Sequence, residues 1–357
     1  VPDNLRSGNT DYRAGVGAGA EVTCDMMRLR IFYSLLAIIT PVVFALSGCQ
    51  ATSKLARKDT PQAAAEKKSH APERVRVEAL TDADGITAEQ IIAQYNARNL
   101  GSPGWRRVTM ELSTDGVVTR DFSIINLWQG DGGELRTLFL LESPKGLAGT
   151  GYLLQEGAGL TSGMTIHLFI PAGERRVLEV ARNNFSEGLL GSDFSYQDMR
   201  MWTPIEGFDY QLAGQAVLLN EAVWVVSAKP LTAQARQTCS CLQARYYLAR
   251  KFPFMLGVDY YEQTFQDEAG AVATKQMRVE SLQQIEKVWT ATRMTMFNSD
   301  SRATTLTLQE AHFALPDFEQ NLFLPESLPK LGDAVQEGWT PNNSMPEPTS
   351  ANRQTQR

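Results

Sequence analysis

Beyond residue 100 apolar residues alternate with polar ones in run after run, separated by short gaps rich in glycine and charge. "RVTMELS" sets Val108, Met110 and Leu112 at every second position, and "TRDFSIINLW", "LRTLFLLESP", "GTGYLLQE", "MTIHLFIP" and "RRVLEVA" follow. A second group comprises "DYQLAGQ", "AVWVVSAKP", "ARYYLAR", "VDYYEQTF", "TKQMRVESLQQIE", "WTATRMTMF" and "ATTLTLQEAHF". Side chains two apart share a face of a strand, so the pattern predicts about a dozen short strands. Their succession argues for a large antiparallel sheet or barrel, not alternating βαβ units. Leu138 to Leu141 and Val223 to Val226 are apolar at consecutive positions. Both faces of those strands therefore need a cover, which helices, a second sheet or an apolar ligand would supply. Ahead of the strands, "ITAEQIIAQYNARN" has helical spacing. Thr87 and Gln90 form a capping-box pattern, and Ile91, Ile92 and Tyr95 fall on one face.

A different pattern marks the beginning of the chain. Arg28 and Arg30 precede an apolar run from Ile31 to Leu46, which closes on "SGCQ". A basic stretch, a short apolar segment and small residues make a secretory signal; the run is too short for a spanning helix. "LSGC", Leu46 to Cys49, resembles the bacterial lipobox, which implies cleavage before Cys49, a diacylglyceryl group on its thiol and more than one acyl chain, such as palmitate, on the mature N-terminal residue. Several acyl chains anchor stably where one would be marginal. Residues 1–25 are expected to be an over-extended segment and 26–48 the signal peptide. The glycines of "GVGAGAE" follow no strand and lie ahead of the signal, so they are not a nucleotide loop. Residues 49–84, rich in Ala, Lys, Glu and Pro, read as a lipidated flexible tether with a reach of about 30 Å. One domain is expected over 85–335, and a disordered tail over 336–357.

The formal net charge of −6 argues against nucleic acid, whose binders carry a basic stripe. Catalytic candidates are few. The three histidines are His70, in the tether, and His167 and His312, at strand positions; no G-x-S-x-G occurs. A serine nucleophile would therefore lack a base beside it. Once Cys49 is acylated and Cys24 removed, Cys239 and Cys241 remain, spaced C-x-C, too few for a closed zinc site. They are read either as two reduced thiols or as a disulfide across a turn. "GLAGTG", Gly146 to Gly151, leads into a strand and reads as a tight hairpin or rim loop. No catalytic residue, metal or cofactor is expected.

One polar and aromatic knot stands out, "GSDFSYQDM", Gly191 to Met199. Gly188 and Gly191 permit a tight turn, and Ser192 or Asp193 is expected to cap a short helix. Phe194 and Tyr196 offer aromatic surface to the core or a cavity mouth, and Asp198 is expected to reach Arg175 or Arg176. Gly191, Ser192, Asp193, Phe194 and Tyr196 are thus candidates for a latch or for a cargo or partner contact.

The blocks "FLLESPKGLAGTGYLLQE", "HLFIPAGERRVLEVARNNFSEGLLGSDFSYQDM", "DYQLAG", "VDYYEQTFQDEAG" and "WTATRMTMFN" resemble, in order and spacing, the bacterial outer-membrane lipoprotein-sorting protein family. The resemblance covers roughly residues 86–328 and is most specific from Pro171 to Met199. It departs from the pattern around Cys239 and Cys241. It implies a mainly β (α+β) fold, a half-open curved antiparallel β-barrel with helices closing its mouth around an apolar cavity. It also implies a non-enzymatic lipoprotein that binds a lipid or acylated lipoprotein and shares in envelope transport or sorting. A resistance-nodulation-division-type transporter is the implied partner. Gln50 after the cysteine favours the periplasmic face of the outer membrane. The alternative is a non-catalytic periplasmic adaptor whose barrel is filled by its own side chains.

Overall fold

Alternation of apolar and polar residues becomes sheet throughout the described part of the protein. The structure is a computed structural model that describes residues 72, 74–80, 85–130, 134–157, 163–196, 198–200, 207–233, 235–236, 241–264, 271–298 and 300–341. The signal peptide, Cys24, Cys49, His70, Cys239 and residues 342–357 lie outside the described residues.

Six strands form the first half: β1 (Gly104–Thr114), β2 (Val117–Gln129), β3 (Arg136–Ser143), β4 (Gly151–Gln155), β5 (Thr165–Phe169) and β6 (Val177–Glu179). Seven form the second: β7 (Phe208–Leu218), β8 (Glu221–Pro230), β9 (Gln243–Ala249), β10 (Met255–Tyr261), β11 (Lys275–Ile285), β12 (Val288–Asn298) and β13 (Arg302–His312). Each half is an antiparallel meander, and β1 pairs with β13, so all thirteen strands make one curved sheet with β6 and β7 at its unclosed edges. Irregularities in register, such as those at Arg107/Val108, Leu212/Gly214 and Val279/Ser281, add local bend and twist. Two-residue turns with positive φ at both positions connect β1 to β2 (Asp115, Gly116), β7 to β8 (Leu219, Asn220) and β11 to β12 (Glu286, Lys287). That twist matches the flanking strands.

Register sorts the apolar residues onto two faces. Met110 stands opposite Phe122 and Leu306, and Leu306 opposite Met294. Together with Ile124, Phe139 and Leu141 they define an inner face. Ile125, Leu127, Leu138, Leu140, Leu153 and Phe169 point the other way. A C-terminal helix, α2 (Leu328–Gln336), covers this outer face with Leu328, Leu331 and Val335, helped by Phe318, Leu322 and Phe323. The two-sided burial expected of Leu138 to Leu141 thus has protein on both sides. Gly149 and Gly332 make the close docking of α2 possible. A Cβ on Gly332 would lie 2.4 Å from the Gly149 carbonyl, and Gly149 itself has φ of +84°. Gln336 Nε2 donates to the Ala148 carbonyl at 2.7 Å, so "GLAGTG" is a turn fixed under α2.

The N-terminal helix, α1 (Ala88–Asn96), forms as its capping box predicts. Gln90 N–H donates to Thr87 Oγ1, and Thr87 N–H to Gln90 Oε1. Ile91, Ile92 and Tyr95 are buried in a core with Val226, Tyr246, Met277 and Met294, which places α1 against the second half of the sheet.

Candidate binding cavity and its latch

After β6, residues 182–196 and 198–200 lie across the inner face. Three short 3-10 turns, Arg182–Asn184, Leu189–Gly191 and Asp198–Arg200, punctuate this stretch. It folds back on itself because Leu189 N–H donates to the Phe194 carbonyl at 2.8 Å and Tyr196 N–H to the Glu187 carbonyl at 3.2 Å. Gly188 allows the tight return, since a Cβ there would lie 2.0 Å from the Ser192 carbonyl oxygen; Gly191 adopts φ of +75°. The knot is therefore compact, and Ser192, Asp193, Phe194, Ser195, Tyr196 and Asp198 are all buried.

Its apolar side chains bridge the two halves of the sheet. Phe194 belongs to the core shared with α1 and the second half, whereas Phe185, Leu189 and Tyr196 pack with Met110, Phe122, Phe139 and Tyr152 of the first. The Tyr152 and Tyr196 rings lie 5.9 Å apart in a tilted pair. Two carboxylates pin the same segment. Asp193 N–H donates to Thr304 Oγ1 on β13, whose hydroxyl donates back to Asp193 Oδ2, each at 2.9 Å. Asn298 Nδ2 adds a contact to Asp193 Oδ1 at 3.3 Å. Asp198 receives the Ser195 N–H at 2.7 Å, the Ser195 hydroxyl at 2.6 Å and the Tyr260 hydroxyl at 3.1 Å. Lys275 of β11 completes the cluster by an ion pair with Asp198. Burial and the neighbouring Asp198 charge push the Tyr260 phenol well above its ordinary pKa, so it stays a donor. From the other side Arg120 of β2 reaches the Leu190 carbonyl at 3.4 Å.

Several expectations are corrected by this geometry. Asp198 pairs with Lys275, not with Arg175 or Arg176; Arg175 binds Asp333 of α2 at 2.7 Å and Arg176 pairs with Glu174. The reason is topological: Arg175 reaches α2 on the outer face, across the sheet from the knot. Neither Ser192 nor Asp193 caps the helical turn. Ser192 Oγ closes a local turn on Phe194 N–H at 3.2 Å, and the capping-type exchange runs between Ser195 and Asp198, whose N–H donates to Ser195 Oγ at 3.3 Å.

The inner face is incompletely filled in two adjoining places. A cavity of about 250 Å³ lies between Arg98, Arg106, Asn126, Trp128, Phe254 and Trp289. Arg106 and Asn126 also border a smaller space of about 50 Å³ that runs under Leu189, Phe194 and Met199 along Val108, Met110 and Met294. The spaces thus share a wall, and the knot roofs the inner one. Arg106 projects from β1; its Nε donates to Asn126 Oδ1 at 2.9 Å, and its guanidinium lies 5.2 Å from the Trp128 ring. Burial pushes its pKa down to about 9. Sequence reasoning missed Arg106, although a charged residue in line with Val108 and Met110 was a visible exception to the alternation of β1.

The remaining candidate chemistry is structural. His312 stacks on Trp105 with ring centroids 4.7 Å apart and contacts Glu310. Cys241 is disulfide-bonded. Among the described residues no three His, Cys, Asp or Glu side chains are grouped to hold a metal. Asp259 sits in a buried network with Arg278 at 2.5 Å and Tyr247 at 2.7 Å, on strands β9 to β11.

A family model described as uncharacterized-protein-like matches residues 133–330. Among solved structures, a DUF1329 family protein from Desulfovibrio piger is 16% identical with a TM-score of 0.59, over 68% of this chain and 97% of that one. A putative outer membrane lipoprotein-sorting protein domain from Vibrio parahaemolyticus is 19% identical with a TM-score of 0.56, over 68% and 97%. A LolA superfamily protein from Nitrosomonas europaea is 13% identical with a TM-score of 0.50, over 67% and 98%. No curated protein matches. At such identities the likeness is one of fold, and it is the fold that the sequence resemblance implied.

Proposed function

The chain belongs to the family whose model spans residues 133–330, and we propose that it is a lipid-anchored envelope protein that takes an apolar cargo onto the inner face of its sheet. The observation that carries this reading is a pair of adjoining inner-face spaces that share Arg106 and Asn126 as a wall, the smaller roofed by Leu189, Phe194 and Met199 of the knot. The cargo is a lipid or an acylated lipoprotein, held by burial of acyl chain at about 25 cal/mol per Å². No covalent chemistry is involved, and the protein is not an enzyme. At about 250 Å³ the larger cavity falls just below the range of roughly 300–1,000 Å³ typical of small-molecule sites. A long chain therefore enters only when the knot moves, which makes the knot a latch. Acylation at Cys49 would hold the protein at the membrane, with the periplasmic face of the outer membrane favoured by Gln50. Residues 49–84 would let the domain over 85–335 stand off that surface.

The interior that Phe194, Leu189 and Tyr196 already fill favours a second reading, a non-catalytic adaptor for an envelope transporter such as one of the resistance-nodulation-division class. Mass spectrometry of lipids extracted from the full chain distinguishes the two. Cys49→Ser removes the covalent acyl chains from the count, and a denatured sample supplies the background. One defined lipid class near one per protein supports the carrier. A folded protein that stays empty after incubation with envelope lipids refutes it in favour of the adaptor.

A further inference from the structure

The larger cavity is more specific than an apolar slot. Among the described residues three basic ones border it, Arg98 just after α1, Arg106 on β1 and Lys287 in the β11–β12 turn, and no carboxylate does so. That concentration of positive charge occurs in a chain with a net charge of −6. Glu286, beside Lys287, does not border the cavity and accepts the Phe313 N–H at 2.9 Å. The rest of the wall is largely aromatic and aliphatic, including Trp128, Trp289, Phe254 and Val288.

Two of the cations are held in place. Asn126 donates its Nδ2 to the Leu138 carbonyl at 3.2 Å, which turns its Oδ1 toward Arg106 Nε. Arg98 is fixed by Nη1 donating to the Tyr95 carbonyl at 2.9 Å, with its guanidinium 3.8 Å from the Tyr95 ring centre. Burial lowers the pKa of both arginines, which marks them as cations withdrawn from water at the edge of the cavity. Preorganised guanidinium groups beside an apolar wall match an anionic head joined to a hydrocarbon chain.

We propose that this cavity binds the anionic head, carboxylate or phosphate, of an acyl-chain amphiphile, with the chain directed along Val108 and Met294 toward the latch. The inference rests on the carrier reading and adds a head-group preference to it. The direction of the chain follows from the wall that Arg106 and Asn126 share between the two spaces.

Titration calorimetry on the full chain carrying Cys49→Ser tests this with three ligands: a long-chain fatty acid, the fatty alcohol of the same length, and a lysophosphatidylglycerol of the same chain. A charge-assisted contact predicts at least about tenfold tighter binding of the anions than of the alcohol. Whichever anion binds more tightly identifies the source of the head group. Arg106→Gln is expected to remove the preference for the anions over the alcohol. Lys287→Gln, in an exposed turn where folding is not at risk, is expected to reduce the preference in part. Equal affinity of alcohol and anions for the unsubstituted cavity overturns the head-group inference alone, as does a preference unchanged in both variants. Failure of all three ligands to bind overturns the carrier reading with it.

Discussion

Asp198→Asn should loosen the latch without loosening the sheet. The Asp198 side chain is 5% exposed and faces Lys275, which is 23% exposed. The amide is nearly isosteric and keeps an acceptor for Ser195, while its NH2 replaces the oxygen that accepts from Tyr260, so the substitution removes the charge and one acceptor. Removing one partner of a buried ion pair costs about 3–5 kcal/mol. Lys275 retains access to water, so we expect a loss smaller than that, about 2–3 kcal/mol. If the latch opens as a local unit, this loss appears in its own opening equilibrium. The corresponding increase in the open fraction is about 30- to 150-fold. Hydrogen exchange reads it directly from the amides of Leu189, Ser192 and Tyr196, whose partners lie within the knot. Amides of β2 and β3 serve as the reference and are expected to be unchanged. Adding Lys275→Met should recover part of the loss, because no uncompensated charge then remains. Unchanged exchange in the knot would refute the reasoning. Equal acceleration in knot and sheet would also refute it, since Asp198 would then stabilise the whole domain.

Two further substitutions test the supports around the site. Gly332→Ala places a Cβ 2.4 Å from the Gly149 carbonyl and 2.8 Å from the Phe169 ring. It should destabilise the docking of α2 by about 1–3 kcal/mol, seen as faster exchange of α2 amides; an unaltered α2 would show that the contact is not close in solution. Asp259→Asn leaves Arg278, whose side chain is 8% exposed, without its counter-charge. A loss of about 3–5 kcal/mol from urea denaturation is expected, and a loss under about 1 kcal/mol would mean that water reaches the network.

The strands were legible because their physical signal is local. Every one of the thirteen falls on a segment that alternation had marked, and α1 begins at the capping box that Thr87 and Gln90 announce. The helix α2 was not visible. "LPKLGDAVQ" contains a proline and a glycine, which read as breaks; in the structure Pro329 sits in the first turn, where it is tolerated, and Gly332 is where the helix touches Gly149. Two turns were equally silent, because Leu219-Asn220 and Glu286-Lys287 adopt positive φ without glycine. In the knot the sequence identified the residues and misassigned their partners. Thr304, Asn298, Tyr260 and Lys275 lie 62 to 111 residues away in the chain. Only the β1–β13 junction and the placement of the knot across the inner face bring them together, and neither leaves a local mark.

Why a latch should carry both aromatic rings and two pinned carboxylates follows from the exchange it would undergo with an acyl chain. Opening withdraws Phe185, Leu189, Phe194 and Tyr196 from the inner face. At about 2 kcal/mol for each buried side chain, their departure costs about 8 kcal/mol. An entering chain returns about 0.8 kcal/mol for every methylene buried, so about ten methylenes offset the loss. The apolar terms therefore nearly cancel for a medium chain and favour the cargo for a longer one. What remains to oppose opening is polar: the reciprocal Asp193–Thr304 pair and the Asp198 cluster with Ser195, Tyr260 and Lys275. A latch closed by apolar contacts alone would yield to any sufficiently long chain, whereas the carboxylate pins hold it shut until a chain of adequate length compensates for them. On this argument Asp198→Asn lowers the chain length at which cargo is first retained, and the fatty-acid series that measures that threshold reports directly on the strength of the pin.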